Sequence, residues 1–277
     1  MKSISVTPPS DRLPVTGDLT LICGVSLAVA LTMAVASVAG LACPGHLYPT
    51  VELRRSFMPN DVVHLTIGLP SLLGAMWLSR RGQLLGLLLW PGTLLYVVYN
   101  AIAYALALPL NLGLLLWFLL LTSSAYAIIA LVAAIDGQAV KQKLKDTVPE
   151  RMAGAVLVIL GAAFFLRVIG VMVQALIGST ALVDGDLAVL ASDLLTAPAW
   201  VIGGIFLWRR EPLGYAAGTA LLFLISTLFV GLIVFMLVQP LLTYAPFRLV
   251  DVLVIFVMGL ITFIPTGLFV RGVMSKH

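Results

Sequence analysis

Eight apolar runs of roughly twenty residues, divided by short turns rich in charge, proline or asparagine, leave this chain few ways to fold. Each run is long enough to cross the ~30 Å hydrocarbon core of a bilayer as a helix. Of its 277 residues 61% are hydrophobic and only 10% charged, and the mean hydropathy is +1.12. A soluble domain carries roughly 25% charged residues, so this chain has too little polar surface to cover itself in water. The expected fold is an all-α, polytopic transmembrane bundle of about eight spans. The net charge of +4 is no nucleic-acid footprint, because in a membrane chain the place of each Lys and Arg matters more than their sum. The bilayer itself is the partner the composition implies.

In order, the runs cover 19–42, 62–78, 83–106, a fourth from the turn at Pro109 and Asn111 to Ile135, then 152–177, 187–208, 213–238 and 246–270. Residues 1–18, with Pro8, Pro9 and Pro14, read as a short disordered tail. The first run ends in GLAC, which resembles a lipoprotein cleavage box. It is longer than the roughly 7–15 residues of a signal-peptide core, so an uncleaved helix is expected. Residues 43–61 form the longest polar loop, with His46, Tyr48, Glu52, Arg54, Arg55 and Asp61. Residues 136–150, DGQAVKQKLKDTVPE, read as a charged linker. Cys23 and Cys43 bracket one helix and stand some 30 Å apart, out of disulfide reach.

The stretch 60–106, NDVVHLTIGLPSLLGAMWLSRRGQLLGLLLWPGTLLYVVYNAIAYAL, has a near-copy at 189–237, VLASDLLTAPAWVIGGIFLWRREPLGYAAGTALLFLISTLFVGLIVFML. Both begin with a polar residue, His64 or Asp193, and continue through a proline, Pro70 or Pro198. Both then reach paired arginines, 80–81 or 209–210. The expected organisation is two four-helix repeats, 19–135 and 151–277. Each has an even number of spans, so the two share one orientation about an axis along the membrane normal. Gly82-x-x-x-Gly86 and Gly214-x-x-x-Gly218 read as helix-packing sites.

Basic residues divide sharply between the two sides. Lys2, Arg12, Arg80, Arg81, Lys141, Lys143, Lys145, Arg151, Arg209, Arg210, Arg271 and Lys276 fall on the side of the termini, and only Arg54, Arg55 and Arg248 on the other. This asymmetry predicts a cell-membrane protein with both termini cytoplasmic.

The motifs DVVHL at 61–65, WLSRRG at 77–82, YVVYN at 96–100 and LWRREPLGY at 207–215 resemble a family of bacterial and archaeal eight-helix integral membrane proteins. The resemblance spans about 47–273. Family loops run L-Y-R-D-T-P-L into a G-Q-D-L-V-T-L helix start, whereas this chain has LYPTVELRRSFMPNDVVHL, with the aspartate and glutamine missing or shifted. The resemblance implies eight helices and supplies no activity.

A charge inside a span costs about 2.5–3.5 kcal/mol on insertion scales and marks a candidate site. Arg167 is the clearest case, with Gln174 seven residues on along the same face. Asp193 and Asp251 lie a turn or two below the outer ends of the sixth and eighth runs, His64 at a similar depth in the second, and Asn100 near the outer end of the third. Tyr96, Asn100 and Tyr104 form an i, i+4, i+8 stripe. All fall in the outer part of the membrane. If they converge they line an outward-facing pocket lidded by 43–61, with Arg167 paired to Asp193 or Asp251 and His64 moving protons. The plainer reading makes Asp193, Asp251 and His64 wetted helix ends. Arg167 then snorkels or locks the fifth helix to the eighth, and Asn100 and the tyrosines become interhelical hydrogen-bond partners. The arginine pairs read as topology anchors, or as holders of anionic lipid headgroups.

His46, His64, Glu52 and Asp61 have no H-x-x-H, H-E-x-x-H or C-x-x-C spacing, and His277 lies on the other side. No phosphate loop, G-x-S-x-G elbow or bis-histidine haem pair is present, so no cofactor is implied. The sequence favours a carrier of a small molecule, since duplicated units place their sites near the repeat interface and Pro70 and Pro198 occupy corresponding places. The alternatives are an intramembrane enzyme for a lipid or quinone-like substrate, with His64 as base, Arg167 as anion clamp and Asp193 orienting one of them, or an assembly subunit docking through the small-residue faces of the first helix.

Overall fold

A computed structural model describes residues 13–178 and 184–275. Among them the chain is all-α, with ten helical segments, eight of them long and apolar enough to cross a membrane. The eight are α1 (Thr20–Ala42), α3 (Val51–Arg80), α4 (Leu84–Ala107), α5 (Leu112–Ala134), α7 (Glu150–Gly178), α8 (Asp184–Trp208), α9 (Pro212–Thr243) and α10 (Leu249–Met274). Two short helices, α2 (Pro44–Leu47) and α6 (Gly137–Leu144), lie between spans. The protein is a multi-pass integral membrane protein.

α4 is the most buried span and packs against α3, α5, α8 and α9. α9 reaches α3, α4, α6, α8 and α10, and α7 lies along α8. The outward faces carry large apolar side chains such as Leu21, Leu119, Leu176 and Leu253, which meet lipid. At one end gather the turn at Arg80–Arg81, α6, the turn at Arg209–Arg210 and the close of α10. Here Arg210 pairs with Asp146 and Glu150, and Gly272 abuts Thr147. The opposite end holds α2, where Asn111 donates to the Leu47 carbonyl.

Two expectations are corrected, the start of the second span and the loose tail up to residue 18. The second span begins at Val51 and not at 62, so Asp61 is helical and 43–61 is no open lid loop. Thr50 caps the helix, its hydroxyl accepting from Leu53 N at 3.2 Å, and Glu52 suits the positive first turn. Pro59, inside the helix, deprives the Arg55 carbonyl of its helical donor. Gln239 Nε2 on α9 supplies one instead, at 3.0 Å. The charged segment 136–150 holds α6, which is capped by Asp136 and buries Val140 and Leu144. Residues 13–18 are no loose tail, since Thr16 N donates to Ala134 O and Asp136 N to Pro14 O, both at 2.8 Å. The rest of the expected tail, with Lys2 and Arg12, lies outside the described residues, as do Lys276 and His277.

Of the glycines expected to pack helices, Gly86, Gly214 and Gly218 do so, against the ends of α3 and α8. Gly82 faces open space and serves the turn, at φ 78°. Both cysteines are free.

Candidate functional site

Asp61 is the centre of a polar network inside the first half of the bundle. Its side chain is 0% exposed. The Tyr48 hydroxyl, from the link between α2 and α3, donates to Oδ2 at 2.7 Å, and the Tyr104 hydroxyl, from α4, faces Oδ1 at 3.0 Å. Among the described residues Asp61 has no Lys or Arg partner. α1 makes room for this pair with Gly40, where a Cβ would collide with both the Asp61 carboxylate and the Tyr48 hydroxyl. Burial, and then the neighbouring carboxylate, push the Tyr48 phenol above its ordinary range. Tyr104 has a second acceptor in reach, the Phe57 carbonyl at 3.2 Å.

His64, one turn deeper on α3, is also 0% exposed. It opens a π-helical turn, His64–Gly68, in which Leu69 N bonds back five residues to the His64 carbonyl. Pro70 follows directly and brings no N–H of its own, the kind of place where a helix widens; such turns cluster at functional sites. Ser37 Oγ lies 3.4 Å from His64 Nδ1, and Asn60 Nδ2 lies 3.4 Å from Nε2. Asn60 also donates to Asn100 Oδ1 at 3.0 Å, and Asn100 donates in turn to the Tyr96 carbonyl. The His64 ring sits among Tyr96, Tyr104 and Trp117, with centroids 5.2–5.8 Å away. The Tyr96 hydroxyl is buried with no hydrogen-bond partner among the described residues.

A second centre lies on the other flank of α4. Tyr99, the neighbour of Asn100 in sequence, donates to Asp193 Oδ1 at 2.8 Å. Arg167 on α7 bonds Asp193 Oδ2 at 3.1 Å. Asp193 is 2% exposed and Arg167 56%, so the acid is enclosed while the guanidinium reaches the protein surface. Arg167 thus ties the fifth span to the sixth, and not to the eighth. Asp251, 41% exposed, pairs with Arg248 three residues away at 3.5 Å, as a helix-end residue does. Gln174 is exposed on α7.

The candidate residues therefore divide. His64, Asn100 and Tyr96 share one enclosed network, Arg167 and Asp193 form a second, and Asp251 and Gln174 belong to neither. Asp61, Tyr48, Asn60, Ser37, Tyr99 and Tyr104 enter as members that sequence reading left in a loop, a stripe or unremarked. The i, i+4 spacing of Asn60 and His64 was the available signal once α3 is known to start at Val51. Among the described residues no group of three or more His, Cys, Asp or Glu side chains gathers as metal ligands.

No protein-family model, curated protein or solved structure matches this chain.

Proposed function

We propose that the protein is a proton-coupled carrier of a small solute, with Asp61 and His64 as the proton-exchanging pair. The observation that supports this most is an acid inside a span, fully enclosed, held by two phenols and, among the described residues, by no cation. Intramembrane ionisable residues of this kind mark proton relays and solute paths. The hydrogen bonds offer two complete arrangements. With Asp61 ionised, Tyr104 gives its one proton to the carboxylate. With Asp61 protonated, the acid donates to the Tyr104 oxygen, and Tyr104 turns to the Phe57 carbonyl. Tyr48 keeps Oδ2 as its acceptor, now a neutral carbonyl oxygen and weaker than a carboxylate, which loosens the α2 link at the outer end. α4 carries both polar centres on adjacent residues, Tyr99 and Asn100, so a shift of this central helix acts on both halves of the bundle.

The halves themselves we read as two four-helix repeats. In support, the arginine turns close alike: Gln83 N bonds Leu78 O and Gly82 N bonds Ser79 O, while Glu211 N bonds Phe206 O and Arg210 N bonds Leu207 O. Each turn has one left-handed residue, Gly82 or Arg210. The basic charge count supports reading this end, with both termini, as cytoplasmic. Cys43, exposed at the other end, then reacts with an impermeant maleimide added to whole cells.

The test is reconstitution into liposomes with a trapped pH dye and a broad panel of amino acids, organic acids, sugars and cationic drugs. The expected result is one solute class whose uptake moves protons, lost in Asp61→Asn. Proton flux and uptake equal to empty liposomes for the whole panel would sink the proposal.

One geometry favours a second reading. Ser37 Oγ lies beside the His64 imidazole at 3.4 Å, a hydroxyl next to a base; because the Asn60 amide N–H faces Nε2, the ring must exchange its proton from Nδ1 to Nε2 before it can activate Ser37. Labelling of Ser37 by a fluorophosphonate probe, lost in His64→Ala, would favour an intramembrane hydrolase over a carrier.

A further inference from the structure

A cavity of about 390 Å³ opens at the two-arginine end, between the start of α1 and the junction of α3 with α4. Its rim carries opposite charges, Asp18 and Arg80, which form no ion pair with each other. Asp18 Oδ1 is occupied, accepting from the Thr20 amide at 2.9 Å and the Thr20 hydroxyl at 2.6 Å, which leaves Oδ2 open. Arg80 has no carboxylate partner among the described residues, whereas its neighbour Arg81 stacks on Trp77 at 3.8 Å. Below the rim, Leu19, Cys23 and Leu27 line the cavity at i, i+4 and i+8, a track of roughly 12 Å along α1 into the apolar span. Trp90 forms the opposite wall, its indole fixed by a 3.1 Å bond to Ser26 Oγ.

We propose that this cavity seats an amine-bearing zwitterionic phospholipid of the phosphatidylethanolamine class, its phosphate on Arg80, its ammonium on Asp18 and an acyl chain along Leu19, Cys23 and Leu27. The unpaired acid and base share one rim, as a headgroup with both charges requires. A guanidinium grips a phosphate oxygen pair through two parallel N–H bonds. The primary ammonium donates to Asp18 Oδ2, which a choline cannot do for want of an N–H. An anionic glycerol headgroup satisfies Arg80 and leaves Asp18 facing its phosphate. The apolar track continuing from the rim fits a lipid better than a free phosphoamine. The site stands apart from the Asp61 network, so it holds whether the protein is a carrier or a hydrolase.

Cys23 in the track and Cys43 at the other end make the protein its own reporter. Purified protein in detergent is alkylated with maleimide during titration with dihexanoyl phosphatidylethanolamine, the matching phosphatidylcholine or phosphatidylglycerol, or phosphoethanolamine. The rate at each cysteine is read by peptide mass spectrometry. The expected result is a slowing of Cys23 by roughly fivefold with phosphatidylethanolamine, little with the other lipids, and no change at Cys43. Arg80→Gln and Asp18→Asn each abolish the protection, and an unchanged Cys43 rate shows that the variants remain folded. Equal protection by all three lipids, or none by phosphatidylethanolamine, overturns the proposal. Equal protection by phosphoethanolamine overturns the lipid assignment in favour of a free phosphoamine.

Discussion

At Gly40 the absence of one side chain decides whether an acid can sit inside the bundle. A Cβ there occupies the place of the Asp61 and Tyr48 oxygens, while a Cβ at Gly24, on the same helix, meets nothing within 4 Å. Overpacking of this kind costs about 1–3 kcal/mol, so Gly40→Ala should lower the melting temperature in detergent while Gly24→Ala leaves it level or slightly raised. Equal melting of the two variants would mean that the Asp61–Tyr48 contact is not held as described. Tyr48 gives the same contact a pH signature. Burial and the adjacent carboxylate raise its pKa in the folded state above the roughly 10 of an unfolded tyrosine. Below about pH 10 both states keep the phenolic proton, and the bond's full contribution is present. Above it the unfolded state ionises and the folded state does not, so stability declines as pH rises. Tyr48→Phe removes that component, and its melting temperature should fall less steeply than that of the parent between pH 9 and 11 (roughly the range in which unfolded tyrosines ionise). Parallel curves would show that Tyr48 is not enclosed beside Asp61.

α3 shows why some elements could be read from the chain and others not. Spans such as α4 and α9 announce themselves, being apolar over more than twenty residues with charges only at their ends. The first third of α3 carries Glu52, Arg54, Arg55, Pro59 and Asp61, a pattern too polar for a span, and only Thr50 and Glu52 hint locally at a helix start. What makes it helical comes from far along the chain: Gln239 for the Arg55 carbonyl, Tyr104 for Asp61. The same distance hid half of the candidate site. His64, Asn100, Arg167 and Asp193 stood out as polar residues within apolar runs. Tyr99, Ser37 and Tyr48 did not, because tyrosine and serine are ordinary in membrane helices until a carboxylate or imidazole is found against them. If Gln239 offsets the proline, Gln239→Ala should cost about 0.5–1 kcal/mol in thermal unfolding. In a Pro59→Ala background, where the alanine restores the missing helical N–H, the same change should cost almost nothing. An equal cost in both backgrounds would detach Gln239 from the proline and leave the continuity of α3 without this account.

Across the whole molecule, the polar groups tie the two halves together at the level of Tyr99 and Asn100, with one enclosed acid on each flank of α4. The two acids are held differently. Asp61 has two phenols, and Asp193 has a phenol and a guanidinium that reaches the surface. The sequence marks Arg167 as a charge deep within an apolar run, but nothing in it says which acid Arg167 meets. That choice has a thermodynamic consequence. Arg167→Gln leaves Asp193 enclosed with only Tyr99 to offset its charge. Removing one partner of a buried pair costs several kcal/mol, and the half-exposed guanidinium discounts this to about 1–2 kcal/mol. Asp193→Asn keeps an oxygen for Tyr99 and leaves Arg167 free to extend toward the interface, so it should cost less. The double variant removes both charges and should recover to within about 0.5 kcal/mol of Asp193→Asn alone, a coupling visible as non-additive melting temperatures in nanodiscs. Additive losses would mean that Arg167 and Asp193 do not neutralise one another in the membrane. In that case α7 is joined to the bundle by its apolar packing on α8, and the second polar centre reduces to the Tyr99–Asp193 bond.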